Sequence, residues 1–152
     1  MTNDCVTITP TITAGAYHAN DVIGGVQVLA ISARTIGSVR HFQSVTVKDG
    51  ANQKATLDLL FFDANPAASV LADNGAPTIH ATDWPHLIGH YRVMPLDYQT
   101  FDGKAIAHIG LPDQYLPMRS AHSTQLWLVI TTPDAPTYAA VTDLTLTFGF
   151  QS

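Results

Sequence analysis

The stretch SVTVKDGANQKATLDLLFFD, residues 44–63, constrains the fold more than any other part of the chain, because two runs with strand period flank a polar break. Val45 and Val47 alternate with Thr46 and Lys48, and Asp49, Gly50, Ala51, Asn52 and Gln53 then interrupt the pattern. Leu57, Leu59 and Phe61 resume it against Asp58, Leu60 and Phe62. Successive side chains of a strand point to opposite faces, so each run presents an apolar face. The pattern predicts a β-hairpin, with no catalytic or metal-binding signature beside it.

The rest of the chain repeats this grammar. Residues 5–13 alternate Cys5, Thr7 and Thr9 with Val6 and Ile8, but Pro10 lacks the amide that a ladder needs, which places the run at a sheet edge or bends it. Residues 22–33 carry Gly24 and Gly25 as a turn or bulge before an apolar run. Residues 38–48 and 54–62 are the arms of the hairpin. Asp63, Ala64, Asn65 and Pro66 end its second arm, and the stretch to Pro77 reads as a long surface loop. A capping Thr82 or Asp83, an early Pro85 and a stopping Gly89 predict one short helix near 83–89. Strands follow near 90–96 and 105–109, the second after a turn at Asp102 and Gly103, and Pro112 and Pro117 bracket an irregular segment. Residues 124–132 form a continuous apolar core strand. In 141–150, Leu144, Leu146, Phe148 and Phe150 alternate with Thr145, Thr147 and Gly149, giving one buried and one polar face.

About eight strands with a turn every ten or so residues predict an all-β, two-sheet β-sandwich of jelly-roll-like topology. Composition agrees: all twelve acids are Asp, Glu is absent and Thr occurs eighteen times, a bias toward turns and strands and away from helices. At 152 residues and 16.3 kDa the chain fits one domain able to bury its own core. Residues 1–16 are expected to be an N-terminal edge strand or arm, and 17–152 a single β-sandwich. There is no internal repeat, heptad or low-complexity segment.

Charge narrows the function classes. Charged residues make up 12% of the chain against a typical ~25%, so part of the surface is expected to be covered by partners. Net charge is −5, and the basic residues Arg34, Arg40, Lys48, Lys54, Arg92, Lys104 and Arg119 are scattered. Without a basic stripe to neutralise phosphates, no direct nucleic-acid binding is expected. The lone Cys5 cannot form an intramolecular disulfide and is expected to act as a small buried hydrophobe. The N-terminus lacks the basic and apolar regions of a signal peptide, and no segment approaches the ~18 apolar residues of a membrane span. The chain is expected to be cytoplasmically made, unprocessed and not membrane-bound.

Chemistry is sparsely signalled. His86 and His90 would share a face if the short helix continued, as zinc ligands can, but Gly89 opposes that. His18, His41, His80, His108 and His122 would allow a cupin-like metal site in a β-barrel, yet no His-x-His pair with a following carboxylate occurs. Asp63, Asn65, Asp73 and Asn74 could hold calcium in a loop, but their spacing is not that of an EF-hand, and turn formation is the favoured role. No Gly-x-Ser-x-Gly elbow is present. Neither catalytic residues, a metal nor a cofactor is expected.

Four motifs, AYHANDVIGGVQVLA, QSVTVKDGANQKATLDLLFFDANP, DWPHLIG and APTYAAVTDLTLTFGF, occur in that order. Their order and spacing, over most of residues 17–150, resemble a family of small virion proteins encoded by tailed bacteriophages. The resemblance implies a capsid decoration or cement protein, made in the host cytoplasm and held on the outer surface of the capsid. Its partners would be the major capsid protein and other copies of itself, as a dimer or trimer. The alternative is a tail or baseplate β-sandwich module that binds host-surface glycans or a receptor, and a metal-dependent enzyme comes last. A cement role asks for modest contacts multiplied over a symmetric shell. The expected partner-binding residues are Val6, Ile8, Pro10 and Ile12 of the N-terminal run, which either extends onto a partner or forms an edge strand of the same domain. Trp84, Tyr91, Tyr98, Phe101 and Tyr115, in or beside loop-like segments, complete the set as aromatic anchors.

Overall fold

The computed structural model of the protein describes residues 3–32, 39–117 and 124–151. Ala33 and Ser38, at the ends of two expected strands, and Arg34, Arg119 and His122 lie outside the described residues. Among the described residues nine strands form: β1 (Asn3–Ile8), β2 (Val22–Ala30), β3 (Val39–Asp49), β4 (Leu57–Phe62), β5 (Leu87–Val93), β6 (Tyr98–Phe101), β7 (Lys104–Pro117), β8 (Gln125–Thr131) and β9 (Leu144–Gln151).

They make a five-stranded sheet in the order β1-β9-β3-β7-β6 and a four-stranded sheet in the order β2-β8-β4-β5, with antiparallel pairing throughout. With β6 set aside as an added outermost strand, eight strands distribute between the sheets in jelly-roll order. The expected all-β, two-sheet, jelly-roll-like sandwich is therefore the fold.

The core lies between the sheets. Leu144, Leu146, Phe148 and Phe150 of β9 all point into it, as their alternation requires. They meet Leu57, Leu59 and Phe61 of β4 and Leu126, Leu128 and Ile130 of β8. Phe42 and Phe61 pack edge to face across the layers at 5.0 Å, a favoured aromatic geometry. β8 is buried on both faces, because Trp127 and Val129 on its outer side lie under the segment between β4 and β5. That segment begins with the expected surface loop, yet it inserts Leu71 and, beyond Pro77, packs Ile79 against Val22, Phe62 and Trp127 as a second, smaller core. Asp73 latches it down: its carboxylate accepts hydrogen bonds from Thr13 Oγ1, the Tyr17 hydroxyl and the Gly24 amide, each at 2.6 Å.

Residues 44–63 do not form a hairpin. β3 pairs with β7 and β9 in one sheet, and β4 pairs with β5 and β8 in the other, so the connection arches between layers. The local turn chemistry is as expected: the buried Asp49 carboxylate accepts the amides of Ala51 and Lys54, both at 2.9 Å, and Asn52 and Lys54 have φ of 53° and 51°. A polar break between two alternating runs serves an arch as well as a hairpin. The arch sets the two apolar faces against each other, whereas a hairpin would place them side by side in one layer.

Other expectations also change. The helix near 83–89 shrinks to a 3-10 turn, Trp84–His86, because Leu87 turns extended and Gly89 pairs with Phe61 as part of β5. The segment between Pro112 and Pro117 is not irregular but continues β7: Ser44 faces Gly110 and Phe42 faces Gln114, so three residues of β7 bulge opposite Gln43. Pro112 sits in that bulge, where no ladder donor is needed. Cys5 is exposed, since β1 is an outermost strand whose outward face carries Asn3, Cys5 and Thr7. The strand expected at 90–96 starts and ends earlier, at Leu87 and Val93, and Pro95–Asp97 forms a second 3-10 turn before β6, a strand the sequence reading did not anticipate.

Candidate functional site

The outward face of the five-stranded sheet gathers side chains from four strands into transverse rows. One row runs Asn3, Gln151, His41 and Tyr115 across β1, β9, β3 and β7. The next runs Cys5, Gly149, Ser44 and Gly110, and the third runs Thr7, Thr147, Thr46 and His108. Because opposing residues of antiparallel strands point to the same side, each row is contiguous on the surface. The middle row is built of small residues, and the flanking rows stand above it as walls.

Hydrogen bonds order both walls. Thr7 and Thr147 share one through their hydroxyls at 3.0 Å, and Thr46 Oγ1 lies 2.7 Å from His108 Nδ1. On the other wall the Gln43 amide donates to Gln151 Oε1 at 2.8 Å. His41 Nε2 stands 3.2 Å from the Leu111 carbonyl oxygen, and its ring stacks on Tyr115 at 5.0 Å. Tyr115 is nevertheless 58% exposed. At this end a cavity of about 380 Å³ is lined by His41, Gln43, Gly110, Leu111 and Pro112. A second cavity of about 310 Å³ lies at the opposite end of β3, beside Lys48, Gly50, Lys104, Ile106 and Asp143.

A different surface occupies the passage from β5 to β6. Met94, Leu96 and Phe101 are 45%, 92% and 66% exposed. The Asp97 carboxylate accepts the Met94 amide at 2.7 Å and closes the turn that presents Leu96. Beyond it β6 is the outermost strand of its sheet.

The expected partner-binding residues are dispersed. Phe101 and Tyr115 lie on the outward side of the five-stranded sheet, and Trp84 is exposed on the segment that covers the four-stranded sheet. Val6 and Ile8 are half-buried against the core, and Tyr91 is half-buried and packs nearly perpendicular to Phe42, with ring centroids 6.3 Å apart. Pro10, Ile12 and Tyr98 are corrected outright: all three are buried, Ile12 and Tyr98 within the core, where a partner cannot reach them. Tyr98 instead donates its hydroxyl to the Ala55 carbonyl at 3.0 Å. Sequence reasoning took Leu96 only as the end of a strand and His41 only as a metal-site histidine, and it missed Gln43, Ser44, Gly110, Gly149 and Gln151, which join His41 only through long-range register.

Ionisable groups serve mainly as ties. Asp4 joins β1 to the buried Arg40 of β3 and to Ser32. Burial alone would raise its carboxyl, but the Ser32 hydrogen bonds and the Arg40 charge outweigh that and hold it below the usual carboxylate range. Burial likewise opposes the shift at Asp58, which the Arg92 fork and His90 nevertheless hold low. His86 and His90 are not paired as ligands; they bind Asp63 and Asp58 respectively. Burial, reinforced by Asp73, pushes the Tyr17 phenol up to about 12. Among the described residues no three His, Cys or Asp side chains gather as a metal-holding group, and no helix is long and apolar enough to cross a membrane.

No family model matches the chain, and no curated protein matches it. The crystal structure of Caldicellulosiruptor saccharolyticus CBM27-1 in complex with mannohexaose is similar over 82% of this chain at 8% identity and a TM-score of 0.35. This chain spans 64% of that chain's length.

Proposed function

We propose that this is a non-enzymatic decoration protein of a tailed-phage capsid, which docks on the repeating surface of the major capsid protein and braces neighbouring capsomers. The observation that carries the reading is the apolar corner at residues 94–101. One exposed leucine means little, but Met94, Leu96 and Phe101 fall within eight residues that comprise a turn and the outermost strand β6 itself. Apolar side chains beside an open strand edge are what a protein partner covers. The low charge of the chain suits a surface that is largely occupied in an assembly. A shell offers many equivalent sites, so copies linked as a dimer or trimer gain avidity from modest contacts.

The test is co-sedimentation of the purified protein with empty capsids, followed by imaging of the shell. Saturable binding at a fixed copy number per capsomer is expected. Binding to purified tails with none to shells would overturn the proposal.

A further inference from the structure

We infer that the outward face of the five-stranded sheet holds a transverse binding site for a neutral oligosaccharide, with Tyr115, His41, Gln43 and Gln151 as one wall and Gly110 and Gly149 in its floor. The site is independent of the apolar corner, and it stands or falls apart from the capsid reading.

Shape comes first. Adjacent strands lie about 4.8 Å apart, so a row across four strands makes a trough about 14 Å long, the span of a short oligosaccharide. Between β3 and β7 the trough opens into the cavity of about 380 Å³ beside the β7 bulge. Gly110 has nothing within 4 Å of where a Cβ would stand, so the floor there is open to its full depth.

The backbone sets the kind of ligand. β9 and β3 are each paired on both sides, so their amides and carbonyls have no ladder positions left for an added peptide strand. A ligand lying across them is read by side chains alone. Those side chains are hydroxyls, amides, imidazoles, a phenol ring and the Cys5 thiol, and the three rows contain no carboxylate, lysine or arginine. A polyanion therefore finds no counter-charge in the rows, whereas a neutral polyhydroxyl chain finds donors and acceptors along both walls.

Pre-organisation completes the case. Tyr115 keeps one face on His41 and is largely exposed, which makes it a fixed platform for the apolar face of a sugar ring. His41 is oriented by the Leu111 carbonyl, and the Gln43–Gln151 pair is held by its own hydrogen bond. These groups are ordered before a ligand arrives, which lowers the entropy cost of binding.

The experiment screens the full-length protein on an array of neutral bacterial and plant polysaccharides, then titrates cellohexaose, maltohexaose and xylohexaose by calorimetry. Tyr115→Ala and Gly110→Trp, the second filling open space without a backbone clash, are each expected to weaken binding at least about tenfold, while Leu96→Ser leaves it unchanged. On the wild-type chain, amide chemical-shift changes confined to β1, β3, β7 and β9 are expected, which keeps the test valid if a variant does not fold. Absence of binding to any neutral glycan overturns the inference. So do unchanged affinity in both trough variants, shifts mapping elsewhere, or capture of acidic glycans or peptides in place of neutral ones.

Discussion

Gly149 of β9 and Ser44 of β3 face each other so closely that a methyl group on Gly149 would stand 2.5 Å from the Ser44 hydroxyl oxygen. The same methyl would lie 3.7 Å from the Ser44 Cβ, an ordinary contact. The Ser44 hydroxyl must rotate away to admit that methyl, so Gly149→Ala is expected to lower stability by no more than about 1 kcal/mol. Ser44→Ala in the same chain should restore most of that loss. Urea unfolding of both single variants and the double variant measures the coupling, and additive losses would mean that the contact is not the cause.

Asp73 joins the N-terminal segment, the β2 glycine bulge and the loop over the second core. Removing its carboxylate strands three donors at once, so Asp73→Ala should cost roughly 2–3 kcal/mol in urea unfolding. In that variant the Tyr17 phenol should titrate below about 12, because a hydrogen bond that favours its neutral form is gone. Spectrophotometric titration reads this directly.

The Asp4 tie gives a pH dependence of known sign. Its folded carboxyl is held below the ordinary value of 3.8, so its contribution is full above that value and is lost as pH falls through the lowered one. Thermal unfolding followed from about pH 6 to about pH 2 should show this loss in the native chain. Asp4→Asn should be less stable at neutral pH and show a shallower acid limb. Parallel curves for the two proteins would exclude Asp4 as a contributor.

Leu96→Ser with Phe101→Ser separates docking from folding. Both side chains are largely exposed, so stability should change by no more than about 0.5 kcal/mol for each. Affinity for empty capsids should fall at least about tenfold if the corner is the docking surface. Thermal unfolding and co-sedimentation on one preparation check both halves.

Much of the sandwich was legible because strand period is a local property. The alternation at Leu144, Leu146, Phe148 and Phe150 named the buried face of β9, and the unbroken run at Leu126–Ile130 marked a strand covered on both sides. Partner choice was not local. Nothing between Asp49 and Leu57 distinguishes an arch from a hairpin, since Asp49 caps the same amides in either. The outward rows were hidden for a related reason: Cys5, Gly149, Ser44 and Gly110 become neighbours only once three long-range registers are set. Phe101 and Tyr115 were found as aromatics outside strong strand patterns, and the same criterion also selected Tyr98, whose burial depends on the unanticipated β6.

The placement of β9 between β1 and β3 has a consequence for how the chain acquires its structure. The strand that closes the first sheet is the last of the nine described strands in chain order, so β1 waits through more than a hundred residues for its neighbour. Until then β3 keeps one side open, and Phe42, Val45 and Val47 lack their register neighbours Phe150, Phe148 and Leu146. Such non-local closure slows folding and leaves an adhesive intermediate. Residues 144–151 thus behave as the final stitch of the molecule, and the nascent chain stays vulnerable until they emerge.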